Sequence, residues 1–367
     1  MEIPVYNTFI HQNAFQNVEE VLSSTFLSEG SLVKKFESRL ASEFGLSNPV
    51  ALNSGTTALH LALVLAGIKE GDEVILPAQT FVATGLVILQ QKAIPVFADI
   101  DYETGNISVA SIEQKITSRT KAIMVVHWGG YPCNMDEINA IARKNNLVVI
   151  EDAAHALGAT YKNKPIGAIS DYTCFSFQAI KHLTTGDGGA IACIHNENSK
   201  QAIIKRWFGI DRNNAALSIL GERQYNIEAL GFKYHMNDYA AALGLANMEN
   251  FFDRLQRRLV YAKVYFDELE KVPGIKLFKY NNDRQSAFWL FGFHVENREE
   301  FIRVLKNNGI TASVVHQRID RNSVFGGLRS DLYNQARFDE TQIHIPLHDG
   351  LNDEKVNYII STIKKGW

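Results

Sequence analysis

Residues 175–189 read Phe175-Ser176-Phe177-Gln178-Ala179-Ile180-Lys181-His182-Leu183-Thr184-Thr185-Gly186-Asp187-Gly188-Gly189. An apolar run, Thr173–Phe177, delivers a single lysine just beyond its end, and a glycine-rich turn lets the backbone fold back into a second run, Gly189–Ile194. Upstream the same kind of segment recurs at Glu73–Leu76, Ile94–Ala98, Ala122–Val126 and Leu147–Ile150. These short runs are rich in Val and Ile and apolar on both sides, as strands of a sheet covered on both faces are. Between them lie amphipathic segments such as Met135–Lys144, with Ile138, Ile141 and Ala142 on one face and charges on the other. Strand–helix alternation predicts an α/β layer with a mainly parallel sheet. In such sheets ligands gather beyond the carboxyl ends of the strands.

After Asn237 the pattern changes. Asp238–Glu270 is almost continuously helix-compatible, with Asn237 as N-cap and Pro273-Gly274 as stop. Beyond it, Phe288–Val295, Phe301–Asn307, Ala312–His316 and Glu354–Lys364 read as a small mixed unit. The expected division is a large domain over residues 1–250 and a small one over 251–367. With 367 residues, 46% hydrophobic and 21% charged, the chain has the composition of a soluble globular enzyme. A net charge of −3 gives no reason to bind nucleic acid, and the Arg254–Arg258 stretch reads as a solvated helix face. Cys133, Cys174 and Cys193 stand far apart without metal-ligand spacing, which predicts small buried residues, no metal and a reducing compartment. No signal peptide or membrane span is visible, so a cytoplasmic protein is expected.

Three segments carry chemistry. Asn53-Ser54-Gly55-Thr56-Thr57-Ala58 opens an apolar helical run and would present free N–H groups to an anion. In LVVIEDAAHALGA, residues 147–159, Glu151 and Asp152 end a buried strand. As neighbours they point to opposite faces, so only one of them can serve a given site. A buried carboxylate there needs a cationic partner, which a ligand nitrogen can supply. Lys181 is the third, since a lysine in an apolar pocket loses its proton readily and becomes an amine nucleophile. An anion cradle, an acid and a lysine together are what pyridoxal 5′-phosphate requires: a seat for its phosphate, a carboxylate for its pyridine nitrogen and an amine for its aldehyde.

These stretches resemble the DegT/StrS family of pyridoxal-phosphate enzymes, mostly sugar aminotransferases of the aspartate-aminotransferase-like fold (fold type I). The likeness runs nearly end to end, through FLSEGSLVKKFE, LNSGTTALHLAL, PAQTFVAT, PVFADIDYETGNI, VIEDAAHALGA, FSF-x₃-K-x₅-GDGG and IPLHDGLNDEKVNYII. It implies a seven-stranded, mostly parallel sheet between helices and a smaller α+β C-terminal domain. It also implies that Lys181 forms the internal aldimine and moves protons, and that Asp152 pairs with the pyridinium nitrogen. Phe81 would stack on the ring, while Gly55, Thr56 and Ser176 would donate to the phosphate. His155 stands where relatives often carry glutamine near the ring hydroxyl, and its charge would depend on pH. Where many relatives have G-[FY]-N-Y-R-M, this chain has Gly231-Phe232-Lys233-Tyr234-His235-Met236. Lys233 would then contact the cofactor phosphate of a neighbouring subunit, in a homodimer with shared sites, or else point to a nucleotide substrate's phosphates or to solvent.

The activity so implied moves an amino group from L-glutamate to a keto sugar, a nucleotide-linked 4-keto-6-deoxyhexose, in amino-sugar synthesis for O-antigens and other glycans. Arg212, His235 and His316 are the candidates for holding the substrate's charged groups. Two other readings belong to the same resemblance. One is a dehydratase in which histidine replaces the lysine, with His182 next door; the other is a cofactor-binding regulator without turnover.

Overall fold

The computed structural model describes residues 2–212 and 215–367; Met1, Asn213 and Asn214, part of the expected large domain, lie outside them. Seven strands form the central sheet: β1 (Pro49–Leu52), β2 (Glu73–Pro77), β3 (Ile94–Ala98), β4 (Thr120–Val126), β5 (Val148–Asp152), β6 (Tyr172–Ser176) and β7 (Gly189–Cys193). Their spatial order is β1-β7-β6-β5-β4-β2-β3. The strands from β6 to β3 run parallel, whereas β7 is antiparallel to both β1 and β6. The reversal follows from the GDGG turn, which returns the chain beside β6 without a crossover helix. Each predicted apolar run is a strand to within about two residues; β1, at the edge, is additional.

Helices cover both faces. α1 (Asn13–Ser24) and α2 (Ser31–Phe44) lie with α8 (Asp238–Asn247), and α6 (Met135–Asn145) joins their side of the sheet. α3 (Gly55–Leu65), α4 (Ala83–Gln90) and α7 (Asn196–Lys205) take the other. Phe36 and Phe177 meet edge-to-face at 5.3 Å in one core, and Leu61, Met124 and Ile150 fill the second. The short α5 (Val109–Lys115) packs beside β3. The expected continuous helix from Asp238 to Glu270 is two helices, α8 and α9 (Phe251–Leu269), because Asn250 takes a left-handed φ of 55° between them.

The C-terminal part contains an antiparallel sheet of β8 (Ile275–Leu277), β9 (Phe291–Val295) and β10 (Gln342–Ile345), with α10 (Arg298–Asn307), α11 (Tyr333–Thr341) and α12 (Asp353–Lys364). Tyr265, Phe291, Phe293, Phe301 and Ile359 build its core, which Ile3 from the start of the chain joins. α9 serves both cores: Phe251 and Leu255 in the large one, Tyr261 and Tyr265 in the small one. That placement corrects the reading of Arg254–Arg258 as solvated. Arg254 and Arg258 are buried against Asp349, with Arg258 Nε at 2.9 Å from its carboxylate, and only Gln256 and Arg257 face water. Ala312–His316, one segment of the expected mixed unit, makes a single bridge, Ser313 to His344, and then turns. The three cysteines are free and buried. Among the described residues no helix is long and apolar enough to cross a membrane.

Candidate active site

The site begins where β5 ends. Period-two alternation sends Glu151 and Asp152 to opposite faces of the sheet. Glu151 accepts hydrogen bonds from His127 Nε2 at 2.7 Å and Thr173 Oγ1 at 3.1 Å. The Cys133 amide donates to His127 Nδ1, which leaves Nε2 as the nitrogen that carries the proton. Asp152 faces α4 and a cavity instead, accepting from Thr84 Oγ1 at 2.7 Å and from the Ala154 amide at 3.1 Å. Burial pushes its carboxyl above the usual range, and those two donors with the nearby Lys181 offset only part of the cost. It is a desolvated carboxyl short of positive charge.

The neighbouring strand β6 ends at Ser176, and the Lys181 amide closes a turn onto Gln178 O at 2.9 Å. The fold-back after it is fixed by the Phe177 amide on Gly188 O at 2.8 Å and the Thr185 amide on Phe177 O at 2.9 Å. Lys181 Nζ then lies 3.7 Å from the centroid of the Trp289 ring. Burial lowers its pKa to about 7, against a modest opposing pull from Asp152. About half of such amines are neutral near pH 7, the form able to attack a carbonyl carbon.

The third wall is the start of α3. Ser54 caps it, its Oγ accepting from the Thr57 amide at 3.1 Å. Among the described residues the amides of Gly55 and Thr56 have no acceptor, so two donors and the positive end of the helix face the cavity. The approach of the two chains is close. A Cβ on Gly55 would meet Ser176 Cβ at 2.8 Å, and one on Gly189 would meet the Ser54 carbonyl at 2.4 Å. Glycine at both positions lets the helix start sit against the end of β6.

One cavity of about 310 Å³ gathers Gly55, Thr56, Phe81, Asp152, His155, Ser176, Lys181 and His316. Phe81 is 53% exposed and lines this cavity. His155 is buried, with its ring 3.8 Å from that of Trp289 and 20° from parallel; its Nδ1 has no partner among the described residues. Burial, reinforced by Lys181 and neighbouring histidines, holds its pKa well below the usual value. His155 is therefore neutral across the working range, which corrects the expectation of a pH-dependent charge. His316 is held near 4 by burial and then Lys181, so it too acts as a neutral hydrogen-bonding ring, not as a cation for charged substrate groups. It is aimed by a tight turn in which its own amide donates to Val314 O at 2.7 Å and Val315 takes φ 63°. A β-branched residue in that region costs on the order of 1–3 kcal/mol, so surrounding contacts must hold it there.

Lys233, Arg212 and His235 do not reach this cavity within the chain. They cluster around Trp207: Lys233 Nζ at 5.2 Å from the ring, Arg212 at 4.8 Å, and the His235 ring edge-on at 4.1 Å. Arg212 also pairs with Glu29 at 3.5 Å, and His235, lowered to about 4 mainly by burial, is neutral. The structure adds two residues. Thr84 lies one helical turn after Phe81, a spacing that could have exposed it. Trp289 sits in an apolar run, Phe288–Phe291, where nothing local separates a site residue from core.

The desolvated lysine has a consequence for stability. The folded protein holds the Lys181 proton less tightly than the unfolded chain, so unfolding takes up a proton between about pH 7 and the ordinary lysine range. Stability of the cofactor-free protein should therefore rise as pH rises through that window. In thermal melts, the Tm of wild type minus that of Lys181→Met should climb from pH 7 to about pH 10. A difference that stays flat would show that the amine is not desolvated.

The DegT/DnrJ/EryC1/StrS aminotransferase family model matches residues 9–364. GDP-perosamine synthase of Escherichia coli O157:H7 is 34% identical over 99% of this chain and 98% of its own length. The sugar aminotransferase CalS13 of Micromonospora echinospora superimposes with a TM-score of 0.95 at 32% identity, covering both chains completely. The PLP-form of Spr1654 from Streptococcus pneumoniae does so with a TM-score of 0.91 at 30% identity, over 100% of this chain and 98% of that one. The protein described here belongs to the DegT/DnrJ/EryC1/StrS aminotransferase family.

Proposed function

We propose that the cavity binds pyridoxal 5′-phosphate and that the protein transfers an amino group from L-glutamate to a keto sugar. The observation that carries this is the meeting of the Lys181 amine, the Asp152 carboxyl and the free amides of Gly55 and Thr56 on one 310 Å³ cavity. Each wall lacks what the cofactor has: an aldehyde for the amine, a protonated ring nitrogen for the carboxyl, a phosphate for the amides. When bound, pyridoxal phosphate supplies an electron sink that makes the Cα proton of an amino acid removable.

Lys181 Nζ would hold the cofactor's aldehyde carbon. Once the donor's amino group has displaced it, the same amine would take the proton from the donor's Cα. Asp152 would keep the ring nitrogen protonated, with Thr84 and Ala154 fixing the carboxylate plane. Phe81 would cover one face of the ring and exclude water, Ser176 would add a hydroxyl at the phosphate, and neutral His155 would hydrogen-bond near the ring hydroxyl. We further propose that a homodimer brings Lys233 to the partner's cofactor phosphate, since within one chain it lies outside the cavity and solvent-exposed.

The name of the E. coli relative, carried to this chain, favours a nucleotide-linked keto sugar; a 4-keto-6-deoxyhexose remains our reading. The dehydratase alternative loses its candidate group. His182 Nε2 is bonded to the Ala287 carbonyl at 2.8 Å, and His182 is no part of the cavity wall.

Protein loaded with the cofactor should be yellow, bleach with borohydride and yield one labelled peptide, on Lys181. Glutamate alone should convert the spectrum, and isotopically labelled glutamate should pass its nitrogen to one of a panel of nucleotide-linked keto sugars, read by mass spectrometry. Label on Lys233 would overturn the site assignment, and a spectrum indifferent to glutamate would favour the regulator.

A further inference from the structure

Trp289 precedes β9 in the C-terminal part of the chain, yet its side chain forms a wall of the cavity. Its backbone surroundings are laced to the turn that follows β4, at the carboxyl end of an interior strand of the large sheet. The Ala287 amide donates to Gly130 O at 3.0 Å and the Leu290 amide to Gly129 O at 3.3 Å, while Phe288 between them takes φ 45°. A Cβ on Gly130 would come within 2.7 Å of His155 O and 3.2 Å of the Trp289 amide nitrogen, so the approach depends on that glycine. The indole N–H donates to Ile180 O at 3.0 Å, the carbonyl just before the lysine. Tyr6 and His155 both lie near-parallel to the ring, at 5.4 Å and 3.8 Å. A ring so thoroughly fixed defines a place for whatever it touches, and what it touches is Lys181 Nζ.

The obvious alternative partner for that amine is Asp152. In a poorly solvated cavity the attraction between opposite charges is strong, yet among the described residues no Lys181–Asp152 contact falls within ion-pair distance. The negative face of the indole attracts an ammonium and accepts an N–H from a neutral amine, so it can hold the nitrogen in either protonation state.

We propose that Trp289 is a positioning residue that provides the resting place of the Lys181 amine whenever it is not bonded to cofactor, holding it away from Asp152. The two groups then do not neutralise each other, and Asp152 stays available to a ring nitrogen. This use of the two groups rests on the function proposed above; the resting place itself is a property of the cofactor-free protein.

The test uses that difference. In cofactor-free protein carrying ¹³C-lysine, the Lys181 ε-methylene resonances, assigned by their loss in Lys181→Ala, should be shifted upfield by the indole ring. Their titration midpoint should lie near 7. The other titratable groups lining the cavity are Asp152, Asp187, His155 and His316, and His182 follows the lysine in the chain. The three histidines are neutral in this range, with His182 near 3 and His316 near 4, so they leave the curve unobscured. Trp289→Leu should abolish the upfield shift and raise the midpoint by a unit or more as the amine relaxes toward Asp152. Trp289→Phe should keep part of both. Should Trp289→Leu fail to fold, Tyr6→Leu, which frees one neighbour of the ring, should move both readouts in the same direction by less.

In loaded protein, Trp289→Leu should slow the single-turnover reaction with glutamate by about 10²-fold, the scale of a misplacement of an ångström. The isotope effect of α-deuterated glutamate should rise, and the rate should fall by more than the affinity for glutamate. An unshifted Lys181 resonance in wild type overturns the proposal, as does a Trp289→Leu variant that changes neither midpoint nor isotope effect. A shifted wild-type resonance in a protein that takes up no pyridoxal phosphate supports the resting place and overturns the proposed function instead.

Discussion

Lys181→Ala is expected to lower the single-turnover conversion of cofactor by glutamate by at least ~10⁴-fold, the upper range for removing a group that carries a proton in the transition state. The same change removes the covalent tether, so the two losses act at different stages and the cofactor should still bind, held by the phosphate seat and Asp152. The fold should survive. Among the described residues the Lys181 side chain makes no hydrogen bond, and its amine is held in a cavity that depresses its pKa to about 7, so deleting it removes a desolvation cost. A melting temperature at or above that of wild type at neutral pH therefore belongs to the prediction. Methylamine, small enough to occupy the vacated space, should restore part of the rate, with a dependence on pH that follows its own protonation. Near-normal conversion in Lys181→Ala, with no amine added, would remove Lys181 from the reaction altogether.

What the amino-acid order reveals here depends on how local the cause is. Ala122–Val126 is legible as a strand because burial on both faces demands an unbroken apolar run. Gly55-Thr56 is legible as a helix start because Ser54 is a capping residue. The opposition of Glu151 and Asp152 follows from strand geometry alone. Trp289 is different. It reaches Lys181 only through the packing of the small sheet against Gly129 and Gly130, and an aromatic in an apolar run carries no mark of that. Arg254 and Arg258 look solvated because their partner, Asp349, lies far along the chain in the other core. The turn at Val315 is left-handed backbone at a β-branched residue that rarely adopts it, so no propensity announces it, whereas Asn250 is of a type that favours that region and only the helix-compatible residues on either side hide the break. Lys233, Arg212 and His235 were read from a resemblance whose site is shared between subunits, and a single chain shows them together around Trp207 and away from the cavity.

Asp152→Asn separates the chemical role of the carboxylate from its structural one, because activity and stability should move in opposite directions. The amide is nearly the same shape. Its oxygen can keep the hydrogen bond from the Ala154 amide, and its NH₂ can donate to Thr84 Oγ1, whose own proton can turn to Thr80 Oγ1 at 2.7 Å. What disappears is the charge. Burial raises the Asp152 carboxyl above its unfolded value, so the folded protein binds that proton more tightly than the unfolded chain. Stability contributed by the group is then greatest below the unfolded pKa and is lost as pH rises through the folded one. Asp152→Asn removes that loss, so the cofactor-free variant should melt above wild type at neutral pH, with the gap closing as the solution is made acid. The variant also withdraws the one charge that pulls the Lys181 pKa upward, so the lysine should titrate lower still. Against this gain, the glutamate half-reaction should fall by about 10³-fold, as for removal of an electrostatic partner at the centre where charge develops. A variant that is both less stable and only mildly slower would make Asp152 a structural residue. One that is more stable and turns over at close to the wild-type rate would leave the ring nitrogen without need of a carboxylate.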